Sequence, residues 1–472
     1  MFTLFASWAL FTRAQFTPDQ VWASFGDAPL TSLRVSWATP GACATPALRF
    51  GTSPASLQPA PPSAVTADAP FFFENSGGLA YYYRAALAGL APGTRYFYQV
   101  AACGPWSRTL SASTLPQGAD FKVLVWGDMG RDGGEQILPA LLEEAQAAAG
   151  GAPGAASFAV IAGDFGYDLH DEGGARGARF VSRLSNVSAF LPTLGVMGNH
   201  EIASGNATHY TNVIGKGLPG RTWGHWCGGY EPCPPAPPAR PARPPALTPH
   251  PRTHRRYSLN TGLIHWLFLS SEVYHMDPFT LQLPGGPFTV SAPAQKEWLL
   301  ADLAAVDRAA TPWLVAVYHR PFYCSNSDGD ECSAIPLNWP ANPLRADLEP
   351  VFMAAGVDLC LEAHEHSVEI IYPLENGRVR EASFAAPTAP VHWVTGAAGC
   401  NEDAGVCFNP ILLPSNFTHK YLWGPEQYSY TRLWANSSGL LHLEQVKVFP
   451  EVGVWAEIDI VQPRHGPFPP SG

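Results

Sequence analysis

Five short apolar runs, each ending in residues that carry chemistry, constrain this 472-residue chain more than any other feature. Val123-Leu124-Val125-Trp126 runs into Gly127-Asp128-Met129-Gly130, and Phe158-Ala159-Val160-Ile161-Ala162 into Gly163-Asp164-Phe165-Gly166-Tyr167. Leu194-Gly195-Val196-Met197 runs into Gly198-Asn199-His200-Glu201. Trp313-Leu314-Val315-Ala316-Val317-Tyr318 runs into His319, and Leu359-Cys360-Leu361-Glu362-Ala363 into His364-Glu365-His366. Short apolar runs bounded by turn residues read as buried strands. Setting His200 aside, the five strand ends deliver Asp128, Asp164, Tyr167, Asn199, His319, His364 and His366. Open α/β sheets bind ligands at the carboxyl ends of their strands. Hard oxygen donors mixed with imidazoles suit first-row transition metals. Seven such residues suffice for two ions that share one carboxylate.

Taken singly, several of these signals are weak. A strand-end Asp often only caps a turn, and a lone His319 after an apolar strand fits a structural histidine. Gly198-Asn199-His200-Glu201 is more distinctive, with an amide oxygen donor beside a non-ligating imidazole. His364 and His366 are two residues apart, which puts both imidazoles on one side of an extended segment. Together, in this order and each at a strand exit, the blocks point to one metal-binding edge.

Residues 16–116 read as all-β. Leu33-Arg34-Val35-Ser36-Trp37 and Tyr96-Phe97-Tyr98-Gln99-Val100 alternate in strand fashion between turn clusters. The turn Leu90-Ala91-Pro92-Gly93-Thr94-Arg95-Tyr96 resembles the one before a late strand of fibronectin type III sandwiches. The composition shifts at Leu115-Pro116-Gln117-Gly118. From Phe121 strands alternate with helical patterns over 137–149, 295–309 and 344–355, the mark of a βαβ layer fold. The expected architecture is therefore a fibronectin III-like β-sandwich followed, over 119–462, by an α/β sandwich. The Pro-rich insertion 233–251 is expected to be an exposed loop.

Charged residues make up 14% of the chain, the net charge is −11 and no basic stripe is present, which argues against nucleic acid as a partner. No run of 18 apolar residues predicts a membrane span. Residues 1–14 read as a short export signal, although its start lacks Lys or Arg. Sequons at Asn186, Asn206, Asn416 and Asn436 agree with export. So do the close cysteine pairs Cys227 and Cys233, Cys324 and Cys332, and Cys400 and Cys407, which suit local disulfides in an oxidising compartment. Cys43 and Cys103 offer a fourth pair, whereas Cys360, inside an apolar strand, reads as a buried free thiol.

The five blocks resemble the purple acid phosphatases, long animal-type branch, within the calcineurin-like metallophosphoesterases. The family pattern is Asp-x-Gly, Gly-Asp-x-x-Tyr, Gly-Asn-His-Asp/Glu, Val-x-x-His and Gly-His-x-His. The first three match outright; Ala316 replaces Val in the fourth and Ala363 replaces Gly in the fifth, with no donor lost. The resemblance extends over the N-terminal sandwich, Tyr257 to Tyr274, Arg320 to Asn326 and Tyr428 to Val446, with 390–462 as the family's C-terminal region. It implies that Asp128, Tyr167 and His366 hold Fe(III), that Asp164 bridges, and that Asn199, His319 and His364 complete a divalent site for Fe, Zn or Mn.

The activity the resemblance implies is acid hydrolysis of phosphate monoesters by a hydroxide carried on that binuclear Fe(III)–M(II) centre. His200 would be the catalytic imidazole that protonates the leaving alkoxide. Glu201 and Glu365 are expected either to orient the ligands beside them or to be solvated loop acids. The implied partners are small phosphorylated substrates, and the implied location is secreted or vacuolar-lysosomal. Two other readings stand beside this one: a phosphodiesterase or nucleotide pyrophosphatase on the same two-metal core, and a weakly catalytic secreted binding protein. Plant relatives carry further histidines after the His319 block, where this chain has Ser325-Asn326-Ser327-Asp328-Gly329-Asp330-Glu331.

Overall fold

Alternation along short strands builds the first part of the chain. In Arg95–Ala102, Tyr96, Tyr98 and Val100 are buried while Arg95, Phe97 and Gln99 are half-buried, and in Ser32–Thr39 Leu33, Val35 and Trp37 enter the core. The structure is a computed structural model that describes residues 17–68, 71–72, 79–118, 121–131, 134–202, 209–219, 256–275, 292–325, 342–399, 415–422, 427–463 and 465–469. The export signal 1–14, the insertion 233–251, Asn206, Cys227, Cys233, Cys332, Cys400, Cys407 and the acids of 328–331 lie outside those residues. Asp19–Phe25, Ser32–Thr39, Leu79–Ala88 and Val65–Ala67 pair into one antiparallel sheet. Gln58–Pro59, Pro46–Gly51, Arg95–Ala102 and Leu110–Ser113 form the other. The two make a β-sandwich, stapled by a disulfide between Cys43 and Cys103.

The rest of the chain forms two mixed sheets. One runs in the order Thr193–Val196, Ala156–Ala162, Lys122–Trp126, Ser429–Ser437, Leu440–Lys447, Gly453–Val461. Its first three strands are parallel and the others antiparallel. The second runs Tyr257–Thr261, Ile264–Phe268, Trp313–Val317, Leu359–Glu362, Val391–Thr395, Val368–Ile371, Thr418–Leu422. Val315, Val317, Leu359 and Leu361 face a core shared with Val123 and Val125 of the first sheet. Leu314, Ala316, Tyr318 and Cys360 face a second core under Leu344, Leu348 and Phe352. Burial on both faces explains why these strands read as continuous apolar runs rather than alternating ones.

Helices Leu138–Gly150, Ala292–Ala304 and Pro343–Ala355 correspond to the three expected from periodicity. The second is shifted towards the N-terminus relative to 295–309. Pro293 lies in its first turn, where no backbone donor is needed. Beyond Ala304, the Asp307 carboxylate takes the N–H groups of Ala309 and Ala310, and the chain turns instead of continuing the helix. The third starts on an Asn342 cap, which accepts from the Arg345 N–H at 3.0 Å, and ends at Gly356 with φ 71°.

The N-terminal sandwich reaches the blocks of the first sheet directly. Trp22, 2% exposed, lies 6.3 Å from Phe165 between ring centroids and donates from Nε1 to the Thr193 carbonyl at 3.0 Å. Phe165 sits between Asp164 and Tyr167, so the sandwich braces a chemistry-bearing turn.

Candidate metal centre

The strand exits converge from two sheets onto one edge. Lys122–Trp126, Ala156–Ala162 and Thr193–Val196 deliver Asp128, Asp164, Tyr167 and Asn199 from one sheet; Trp313–Val317 and Leu359–Glu362 deliver His319, His364 and His366 from the other. Asp128, Asp164 and His364 have φ of 60°, 49° and 70°. Left-handed backbone at a residue other than Gly costs free energy and persists only where its surroundings impose it. Here the Met129 N–H donates to the Asp164 carbonyl at 3.0 Å, and the His364 N–H to Asp128 Oδ2 at 2.9 Å.

The last block departs from the expected geometry. Residues 363–367 are not extended. The Glu365 N–H donates to the Ala363 carbonyl at 2.8 Å and the Ser367 N–H to the Glu365 carbonyl at 2.6 Å, around the left-handed His364. The two imidazoles therefore reach different parts of the cluster. His364 stacks edge-on to His319 with centroids 5.0 Å apart, and His366 lies 6.0 Å from the Tyr167 ring.

The structure brings all seven expected donors together. The Tyr167 hydroxyl donates to Asp128 Oδ1 at 3.0 Å and lies 2.9 Å from His366 Nε2. Side-chain donor atoms of Asp164, His319 and His364 lie within 4.8 Å of one another. His319 Nε2 is 3.3 Å from Asp164 Oδ2 and 2.9 Å from Asn199 Oδ1. The other ring nitrogen, Nδ1, is 2.9 Å from the Ala162 carbonyl and can only donate to it. In the neutral ring that leaves Nε2 as an acceptor facing the Asn199 oxygen, also an acceptor. Two lone pairs pointed at one space suit a cation between them. Glycine makes the room: a Cβ on Gly198 would fall 2.1 Å from Asp164 Oδ1 and 2.7 Å from His319 Nε2.

Charge is concentrated in this dry edge. Burial pushes the Asp128 carboxyl well above the usual carboxylate range, with Asp164 adding to the rise against the pull of His319. Burial acts the same way on Asp164, but the imidazoles of His319 and His200 outweigh it and hold that group low. Burial disfavours the charged form of His319, yet Asp164 raises its pKa to about 10, so the proton that Nε2 then carries towards Asn199 and Asp164 is the one a cation bound there would displace. Desolvation and the neighbouring His364 push His366, whose side chain keeps 12% of its surface exposed, down to about 3.

Glu201 is 4% exposed, which overturns the reading of it as a solvated loop acid. Its carboxylate accepts from the backbone N–H groups of Asp164 at 2.9 Å, Phe165 at 3.0 Å and Gly198 at 2.8 Å, lacing two blocks together. Glu365, 1% exposed, is likewise buried. His200 stacks on Tyr167 at 3.8 Å and 5°, and its Nδ1 meets Asp168 Oδ1 at 2.7 Å. Burial lowers the pKa of His200, but Asp164 and Asp168 together raise it to about 9. Asp168 is one residue the sequence reading missed. Arg320, with Nη1 3.1 Å from His364 Nε2, is another. Each directly follows an expected ligand in the chain, but spacing alone assigns neither a direction. The two departures from the block pattern are absorbed by packing. Ala316 is fully buried in the outer core, and the Ala363 methyl occupies space that Gly127 leaves open, where a Cβ would come within 2.4 Å of it.

Away from the edge, Asn186, Asn416 and Asn436 are exposed, as glycan acceptors need to be. Cys360 is free and buried, and Cys324 is disulfide-bonded.

Comparison with known proteins adds to this geometry. Residues 18–114 match the purple acid phosphatase N-terminal domain, and residues 121–368 match the calcineurin-like phosphoesterase family. Acid phosphatase type 7 of Homo sapiens is 29% identical over 95% of this chain and 92% of its own length. The Danio rerio protein of the same name is 30% identical over 82% of this chain and 79% of its own. Among solved structures, a purple acid phosphatase from yellow lupin seeds superposes with a TM-score of 0.66 at 17% identity. It covers 95% of this chain and 75% of the lupin chain, which is a likeness of fold.

Proposed function

The chain belongs to the calcineurin-like phosphoesterases, in the purple acid phosphatase branch, and from that premise we propose that it hydrolyses phosphate monoesters at a dimetal centre held by the seven clustered residues. Asp128, Tyr167 and His366 would hold one ion, taken to be Fe(III), because a phenolate with carboxylates favours a hard trivalent metal. Asn199, His319 and His364 would hold a divalent ion (Fe, Zn or Mn), and Asp164 would be shared. The observation that carries this reading is the convergence of His319 Nε2 with Asn199 Oδ1 and the buried Asp164 carboxylate, 2.9 and 3.3 Å from that nitrogen, with His364 beside them. A metal pair held here would supply Lewis-acid charge at the phosphoryl oxygens and a nucleophile from water near neutral or acid pH.

The chain's own groups do the rest. His200 is the proton donor to the leaving alkoxide. Asp168 accepts from its Nδ1–H and so fixes the ring with Nε2 towards the cluster, while the Tyr167 ring holds the imidazole plane. Glu201 keeps the Asp164 and Asn199 turns in register by binding their backbones. We assign residues 16–116 to the supporting sandwich and 119–462 to the catalytic unit. The exposed sequons and the Cys43–Cys103 disulfide favour a secreted or vacuolar-lysosomal protein acting on small phosphorylated substrates. Among the described residues no helix is long and apolar enough to cross a membrane.

The test is hydrolysis of an alkyl monoester, β-glycerophosphate, whose alkoxide must be protonated to leave, by the metal-loaded chain, with His200→Ala as control. A variant that keeps its metals and loses activity supports the assignment. A variant as active as wild type overturns the role given to His200.

A further inference from the structure

We propose that Arg320 is the residue that anchors the substrate's phosphoryl group at the His364 side of the site. This rests on the phosphomonoesterase reading above and names a residue that the metal-ligand blocks do not contain.

Arg320 follows His319 at the exit of Trp313–Val317, and its guanidinium is fixed before any substrate arrives. Its Nε donates to both carboxylate oxygens of Glu272 at 3.0 Å, and its backbone N–H donates to Ser271 Oγ at 3.0 Å. Ser271 Oγ in turn donates to Glu272 Oε1 at 3.1 Å. Glu272 and Ser271 are fully buried, so the arginine is held from below by a rigid, desolvated pair. The Arg320 side chain itself keeps 15% of its surface exposed, and Nη1 lies 3.1 Å from His364 Nε2. A fork anchored through Nε thus presents an Nη edge to the cluster of Asp164, His319 and His364.

Neutralising Glu272 alone does not require that direction. An ion pair can form with the guanidinium turned anywhere, whereas here one edge is committed to the carboxylate and another to the cluster. The planar fork of arginine matches phosphate oxygens, and a preset fork loses little entropy on binding. With His364 holding a metal, the Nη1–H that now meets its ring would be left for an oxygen of the ester. His200 stands against Tyr167 and Asp164, so the proton donor and the anchor occupy separate places around the cluster.

The experiment compares wild type with Arg320→Lys, Arg320→Met and Glu272→Gln, each as the full metal-loaded chain. Three quantities are read: metals bound per chain, the KM for p-nitrophenyl phosphate, and the dissociation constant of inorganic phosphate by calorimetry. Arg320→Met is expected to keep both metals while KM and the phosphate dissociation constant rise roughly tenfold to a hundredfold, the loss of one charge-assisted contact. Arg320→Lys should recover part of that loss, because it restores charge without the fork, and Glu272→Gln should fall between wild type and Arg320→Met. Unchanged phosphate binding in a fully loaded Arg320→Met protein overturns the inference. So does a loss of metal that accounts for the whole effect and is repaired by Arg320→Lys. If the loaded wild type binds phosphate but cleaves no monoester, the phosphatase reading itself fails, and the anchor role fails with it.

Discussion

Replacing Glu201 tests whether the two ligand-bearing turns depend on one buried carboxylate. The structure gives the magnitude. Oε2 accepts from Asp164 and Gly198, and Oε1 from Phe165, all within 3.0 Å. In Glu201→Gln the amide oxygen can take over the Oε2 position and keep two of these bonds. The NH2 then faces the Phe165 N–H, donor against donor. One hydrogen bond to a charged group is lost at about 1.5–3 kcal/mol, and a buried N–H left without a partner adds about 1–3 kcal/mol. An opposing term reduces the sum: burial and the nearby Asp164 raise the Glu201 pKa to about 7, so removing the acid also removes repulsion. The net expectation is a loss of about 2–4 kcal/mol for Gln and more for Ala, which leaves three donors stranded. Because the strained φ of Asp164 relies on this lacing, metal affinity should fall about 10–100-fold as well, as for other groups that orient ligands. Urea unfolding of the metal-free chain reads the first effect, and competition with a chelator reads the second. A Glu201→Ala protein with the stability and metal retention of wild type would show that the two turns hold without this carboxylate.

Further outcomes follow from the same geometry. Asp168→Asn removes one of the carboxylates that raise the pKa of His200; the imidazole, the proposed proton donor, then deprotonates at lower pH, and the basic limb of the kcat profile should move towards acid. His392, fully buried against Glu362, has a pKa raised to about 10 by that carboxylate against the effect of burial. The sign follows: its contribution to stability is complete below the ordinary histidine value and is lost as pH rises through about 10, so His392→Asn should flatten the urea midpoint measured between pH 6 and 10. Trp22→Ala opens a cavity under Phe165 and should cost about 3–5 kcal/mol in unfolding experiments, with activity falling at temperatures where wild type is unaffected. Removing metal by chelation should abolish hydrolysis, and re-adding iron with a divalent ion should restore it; activity that survives complete metal removal would contradict the proposed function.

Much of the site was legible in the sequence for a physical reason. Strands buried on both faces are written as unbroken apolar runs, so their ends are sharp, and the polar residues at those ends have little reason to be there except function. Val123 to Trp126 and Leu359 to Leu361 are such runs, all of them fully buried. What the runs do not encode is which strands pair. That Asp128 and His366 come from different sheets yet meet through Tyr167 depends on contacts between residues far apart in the chain. The period-two reading of His364 and His366 placed both near the site for a reason that the left-handed turn at His364 supersedes. Asp168 and Arg320 carry no assignment in the sequence, because a charged residue after an expected ligand can face solvent as easily as the cluster. Their roles depend on where the Tyr167 turn points and on the buried Glu272, and neither is a property of local sequence. The helix expected to reach residue 309 stopped at Ala304 because the Asp307 side chain competes for the backbone donors that follow.

The proposed function turns on a metal pair with Tyr167 bound to one of its ions. The most direct test is the visible absorption spectrum of the purified full-length chain, recorded with metal analysis before and after Tyr167→Phe. Two metals per chain are expected, iron among them, with a purple charge-transfer band that the substitution bleaches while metal remains bound. A metal-loaded wild-type chain with no such band, or a band that survives Tyr167→Phe, would contradict that expectation.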